Sequence, residues 1–270
     1  MHRSAHAEMA RCVKLYMPPD RHYRVVDFGS RVSRGQTLTH RDLLGAHDCE
    51  ITGVDIRRGR NVDVVMAKPY RVPLRRAGAD VVFAGQVFEH VPFFWASMLE
   101  LARILKPGGH LFMTVPSRGH VHSHYDCWRY YPDGLRAMAA FSGLELVEAH
   151  TDFPPSKEGR RLHDYAAIDA GAAYWGDTVG VFRKPERYPS ARIGLVRAVV
   201  CWWANRIGDL DGVPAPSPQD VVPATRLRQT VTHAAPPTPP PRRRSLRRRA
   251  GLMRLKLRRG AGHVRRSLGR

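Results

Sequence analysis

The sequence predicts an α/β fold built on a parallel sheet, and three stretches carry that prediction. The first, Asp80–Pro116, reads as strand, loop, helix, turn and strand. Val81-Val82-Phe83 is a short apolar run that stops at Ala84-Gly85-Gln86, the pattern of a strand buried on both faces with its carboxyl end at a site. Trp95, Met98, Leu99, Ala102 and Leu105 then recur at three- and four-residue steps, the apolar stripe of a helix, before the second apolar strand Leu111–Val115. A strand, a helix and a strand joined by short connections make a parallel crossover. The other two stretches are Tyr23–Phe28, which runs into Gly29-Ser30, and Glu50–Ile56, which carries Asp55 near its end.

Taken in order, Ala5–Met17 is expected to be an amphipathic helix with Met9, Cys12, Val13 and Tyr16 on one side, stopped by Pro18-Pro19-Asp20. Tyr23–Phe28 is strand one, and one helix and a turn are expected before strand two at Glu50–Ile56. Asn61–Met66 reads as strand three. Pro92 is expected to set the first turn of the helix after strand four. Lys106-Pro107-Gly108-Gly109 is expected to end that helix, with the lysine as the cation at its C-terminus. Pro132–Ser142 is a helix with Asp133 at its N-terminus, Leu144–His150 a sixth strand, Phe153–Arg161 a polar loop and Leu162–Ala173 helical. Asp177–Lys184 completes the sheet. Ser190–Gly208 reads as a last helix that buries Ile193, Val196, Val200 and Trp203.

The segments DVVFAGQVFEHV and ELARILKPGGHLFMTVPS resemble the fourth strand, fourth helix and fifth strand of class I S-adenosylmethionine-dependent methyltransferases, in the small-molecule, type 11-like group. HYDCWRYYPDG (His124–Gly134) resembles a narrower subgroup, and the likeness spans Tyr23 to Val147. It implies a Rossmann-like, seven-stranded, mostly parallel sheet with helices on both faces, its last strand antiparallel. S-adenosylmethionine is the implied cofactor. Asp27 and Gly29 match the D-x-G core of the first family motif; Arg31 and Ser33 replace its later glycines, and Gly35 is the next one. The nucleotide of such a fold lies at the carboxyl ends of the strands, where glycine permits close approach. The resemblance therefore assigns Asp27, Gly29, Ser30, Gly35 and Ile56 to the cofactor, with Asp55 at its ribose and Gln86 beneath its methionine portion. Ala67-Lys68-Pro69 stands where many relatives carry an adenine-reading aspartate, and that contact is unassigned.

Glu89 and His90 follow strand four, where they either contribute acid–base chemistry or brace the next helix. His120, His122 and His124 alternate, so an extended segment would set them on one side. With Asp126 and Cys127 nearby a metal site is chemically feasible, but a second ligand cluster is lacking and no metal is assigned. The segment is read instead as the acceptor pocket, with Trp128, Tyr130 and Tyr131 either facing it or lying in the core. His90, His124 and Asp126 are the base candidates.

The chain carries a net charge of +20, placed unevenly: Val221–Arg270 holds fifteen Lys or Arg and no Asp or Glu, leaving +5 for the first 220 residues. Four cysteines lie far apart without CxxC spacing, which argues against a zinc knuckle or a disulfide framework. The N-terminus lacks the apolar region of a secretory signal, and Ala198–Ala204 is too short for a membrane span. A cytoplasmic location is expected. The expected organisation is a methyltransferase domain over 1–212, with its core at 23–184 and a helix at about 190–208. A Pro-rich linker and an Arg-rich tail over 213–270 follow, disordered alone for want of apolar residues to bury. The acceptor is read as a small molecule or saccharide, methylated at oxygen. The tail's expected partners are nucleic acid or an anionic membrane surface, met through phosphate neutralisation. Two alternatives are a nucleic-acid methyltransferase and a domain that keeps the fold without its chemistry.

Overall fold

The computed structural model describes residues 3–33, 35–119, 125–151 and 176–210, all within the compact unit Met1–Val213. The loop and helix expected over 153–173, His124, and the tail lie outside the described residues. Among the described residues seven strands form one sheet: β1 (Tyr23–Phe28), β2 (Cys49–Asp55), β3 (Val64–Val65), β4 (Ala79–Gly85), β5 (Leu105–Arg118), β6 (Glu145–Thr151) and β7 (Gly176–Arg183). Their order is β3-β2-β1-β4-β5-β7-β6; β1 to β5 pair in parallel, and β7 runs antiparallel between β5 and β6. The helices are α1 (Arg3–Tyr16), α2 (Phe94–Ile104), α3 (Pro132–Ser142) and α4 (Ser190–Ile207). This is the Rossmann-like architecture expected from the sequence.

Two apolar layers hold the sheet. On one face Met9, Cys12 and Val13 of α1 meet Val25, Phe83, Phe112 and Val181, as the spacing of α1 predicts. On the other, Met98, Leu101 and Ala102 of α2 and Leu135 and Met138 of α3 cover Val82, Leu111 and Met113. Adjacent residues of β4 and β5 thus face opposite layers, which explains their unbroken apolar runs.

Several expectations are corrected. Between β1 and β2 the described residues form no α-helix; they cross through a loop and the 3-10 turn His40–Leu43. The third strand is two residues long rather than six. Pro92 precedes the N-cap residue Phe93 and so stands outside α2. Lys106–Gly109 does leave the helix, but as a bulge within β5: Leu105 pairs with Ala79 and His110 with Val81. Gly108 takes φ +74 there, a conformation that favours glycine. Lys106 is not the helix-end cation, since its Nζ bonds Asp80 at 2.6 Å. That position belongs to buried Lys184, whose Nζ donates to the carbonyls of Ala102 and Leu105 at 2.7 and 2.6 Å.

The connection from β3 to β4 also lacks a helix and is tied down by charge instead. Buried Glu100 accepts from the Val72 amide and pairs with Arg103 and Arg197, while Arg103 donates to the carbonyls of Val72 and Leu74. Both Glu100 oxygens are hydrogen-bonded, the condition under which a buried carboxylate is tolerated. In α4, Cys201 and Ala204 face α2, and Trp203, expected in the core, is exposed.

Gly53 fixes how the β2–β3 loop packs at the carboxyl end of the sheet. A Cβ there would lie 1.8 Å from the Asn61 carbonyl oxygen, while the Gly53 amide donates to Asp63 at 2.7 Å. Gly53→Ala is expected to cost about 1–3 kcal/mol in urea unfolding, because the obstacle is backbone and must move bodily. Unchanged unfolding would show that the loop is not packed on this glycine.

Candidate functional site

The strand order reverses at β1, whose neighbours β2 and β4 lead in opposite directions, and α/β sheets bind ligands in the crevice at such a point. A cavity of about 540 Å³ opens there, at the carboxyl ends of β1, β2, β3 and β4. That volume suits one ligand of cofactor size.

Each strand end contributes by a local device. After β1, Gly29 takes φ +77, and a Cβ on it would lie 2.3 Å from the Val87 side chain, so the first loop can pass beneath the β4 loop only as glycine. After β2, Asp55 accepts from the Arg57 amide at 2.9 Å through one carboxylate oxygen and from the Arg31 amide at 3.2 Å through the other. Its carboxylate is therefore fixed in direction, with lone pairs left for a ligand. After β4, Gln86 is held at φ +57, a conformation costly for a side-chain-bearing residue. Its amide donates to the Thr114 carbonyl, and its side chain donates to Asp177 at 3.1 Å. Asp177 in turn accepts from Ser4 of α1 at 2.9 Å, tying the first helix to the floor of the site.

Of the residues assigned to the cofactor by resemblance, Asp27, Gly29, Ser30, Asp55, Ile56 and Gln86 all line the cavity. Gly35 does not: it is exposed and turns the loop at φ +80. Asp27 lines the wall from a buried position, where His40 Nδ1 donates to it at 2.7 Å. His40 stacks flat on Phe83, ring centroids 4.9 Å apart.

The base candidates separate. His90 reaches the cavity, and its Nδ1 sits 2.5 Å from the Tyr125 carbonyl oxygen, which can only accept. The Nδ1 proton is thereby fixed, and Nε2 lies 3.6 Å from Glu89. Asp126 does not line the cavity; its side chain is fully buried and bound by both oxygens to the Arg129 guanidinium, so it braces rather than reacts. The aromatic segment behind it is core more than pocket. Trp128 Nε1 donates to the Val91 carbonyl, and Phe94 packs edge-on against Trp128 and Tyr130. Tyr125 alone of the described tyrosines after β5 lines the cavity.

Three buried polar groups on the wall have no hydrogen-bond partner among the described residues: Ser30 Oγ, His40 Nε2 and both oxygens of Glu89. Buried polar groups are normally satisfied, so a wall carrying several is shaped for a polar ligand. Glu89 is the extreme case. It is fully buried, and burial pushes its carboxyl up to about 8, with Asp126 also raising it and Arg129 opposing. Sequence reasoning placed Glu89 at the strand end without assigning it to the site, and it missed His40. A carboxylate following GQVF gave a usable signal; a lone histidine in a loop gave none.

Residues 31–113 match the family model of a methyltransferase domain. Over that stretch the chain is similar to a methyltransferase domain, which supports an enzyme with S-adenosylmethionine as its cofactor. The buried orphan polar groups and the glycine cradle at Gly29 fit such a polar nucleoside. No curated protein matches the chain. Among solved structures, the YcgJ protein of Bacillus subtilis is 12% identical with a TM-score of 0.50, over 68% of this chain and 100% of that one. The 1,6-didemethyltoxoflavin-N1-methyltransferase of Burkholderia thailandensis is 14% identical, TM-score 0.47, over 68% and 77%. The phosphoethanolamine N-methyltransferase 2 of Haemonchus contortus is also 14% identical, TM-score 0.46, over 66% and 52%. At these identities the likeness is one of fold.

Proposed function

We propose that this enzyme transfers the methyl group of S-adenosylmethionine to an oxygen of a small molecule or saccharide. The observation that carries the choice of oxygen is Glu89. An amine attacks without help once neutral, whereas a hydroxyl needs its proton removed, and a buried carboxyl tuned to about 8 is a base matched to that work. It replaces Asp126, which is already neutralised by Arg129, and it is preferred to His90, whose Nε2 faces Glu89 itself at 3.6 Å.

When bound, the cofactor supplies a methyl carbon activated by its positive sulfur. The chain's own residues do the rest. The fixed Asp55 carboxylate accepts from the ribose hydroxyls, Gly29 and Ser30 admit the ligand close to the first loop, and Asp27, Ile56 and Gln86 complete the wall. Glu89, as carboxylate, takes the proton that the acceptor hydroxyl loses, and His90 orients it from 3.6 Å. Alignment by these fixed groups is the main source of rate in such a displacement.

The test is incubation of the full chain with methyl-labelled S-adenosylmethionine and a panel of hydroxylated small molecules, sugars, amines and RNA, with products located by mass spectrometry. Label on a hydroxyl oxygen of a small acceptor is expected. Label confined to nitrogen, or to RNA, would contradict the reading.

A further inference from the structure

Helix α4 is built outside-in. Its buried side meets α2 through small residues: Cys201 Sγ donates to the Ala96 carbonyl at 3.5 Å, and Ala204 lies beside it. Asn205 accepts from the Tyr70 amide at 3.0 Å, and Arg197 bonds Glu100. The outward side is the apolar one. Leu195, Val199 and Trp202 follow one another at steps of four and three, with Trp203 and Ile207 alongside; Leu195 is 71% exposed and both tryptophans 58%. A soluble helix normally turns polar residues outward. Here the helix holds no Asp or Glu, and Arg192 and Arg206 border the exposed stripe, Arg206 lying over the Trp202 ring at 5.3 Å.

We propose that this outward face of α4 docks on an anionic membrane surface. Three features select that occupant. Tryptophan beside arginine suits the interface, where the ring enters the headgroup boundary and the guanidinium meets lipid phosphate. No described helix is long and apolar enough to cross a membrane, so α4 lies on the surface rather than through it. The sequence soon after α4 supplies the matching charge, fifteen Lys or Arg and no acid from Val221 to Arg270. One weakly apolar helix holds a protein only reversibly, and a polybasic segment is the second signal that makes such binding stable. Nucleic acid would be met by the charge but leaves the tryptophan face unexplained. Asp209, two residues past α4, lines the cavity, so docking sets the site close to the lipid surface.

The full chain is mixed with vesicles of phosphatidylcholine alone or of phosphatidylcholine with phosphatidylglycerol, and bound protein is measured by sedimentation and by tryptophan emission. Binding to the anionic vesicles only, with a blue shift, is expected. Trp202→Ser combined with Trp203→Ser should lower the partition coefficient about tenfold or more and abolish the shift. Leu195→Ser combined with Val199→Ser, on the same stripe, should act alike, and matching thermal melts exclude misfolding in both. No binding to anionic vesicles overturns the proposal. So does binding that both variants retain, or self-association that buries the tryptophans without lipid, or RNA binding in place of vesicle binding.

Discussion

Replacing Glu89 with glutamine is expected to lower kcat about a hundred- to ten-thousandfold, the usual contribution of a positioned base. The substitution keeps size and removes only ionisation, so the loss should fall on methyl transfer and not on cofactor affinity. In the wild type kcat/KM should climb with pH and level off above about 8, as the carboxyl ionises, and the variant should lose that limb. A second readout needs no acceptor. The folded-state value lies above the ordinary 4.5, so the carboxyl is easier to keep protonated in the fold than in the unfolded chain. Its contribution to stability is then present below about 4.5 and lost as pH rises through about 8, and Glu89→Gln should flatten that decline. Unchanged rate and unchanged pH dependence of stability would remove Glu89 from the site.

Asp55→Ala is expected to weaken S-adenosylmethionine binding by about 2–4 kcal/mol, or about thirty- to a thousandfold in Kd. Two effects add. The variant loses charge-assisted bonds to the ribose, and it releases the Arg31 and Arg57 amides that Asp55 holds in place. Asp55→Asn, which keeps one acceptor, should fall between the two. Equal affinity in all three proteins would move the ribose elsewhere.

Much of this arrangement was legible in the sequence because it rests on local pattern. The runs of β1, β4 and β5, the stripe of α1 and the position of Asp55 follow from alternation, spacing and chain reversal. What was not legible depends on distant partners. Lys184 caps α2 from about eighty residues away, a relation that proximity in sequence assigns to Lys106. Glu100 stands in an apolar stripe, and only the folded chain shows Arg103, Arg197 and the Val72 amide around it. The missing helix between β1 and β2 was partly readable, since 31–48 has few apolar residues and no helical period. In α4 the periodicity failed for a physical reason: apolar residues surround the helix, so spacing alone cannot say which side meets the protein. Glu89 belongs to the same class, because the burial that makes it a base is supplied by residues from other elements.

The most direct measurement is calorimetric titration of S-adenosylmethionine into the full chain and into Asp55→Ala, with folding of both confirmed by their melts. One cofactor per chain, bound by the wild type and strongly weakened in the variant, is the predicted result. Absence of binding by folded wild-type protein, or equal binding by both proteins, would contradict the assignment of the cavity at the ends of β1, β2 and β4 to the cofactor.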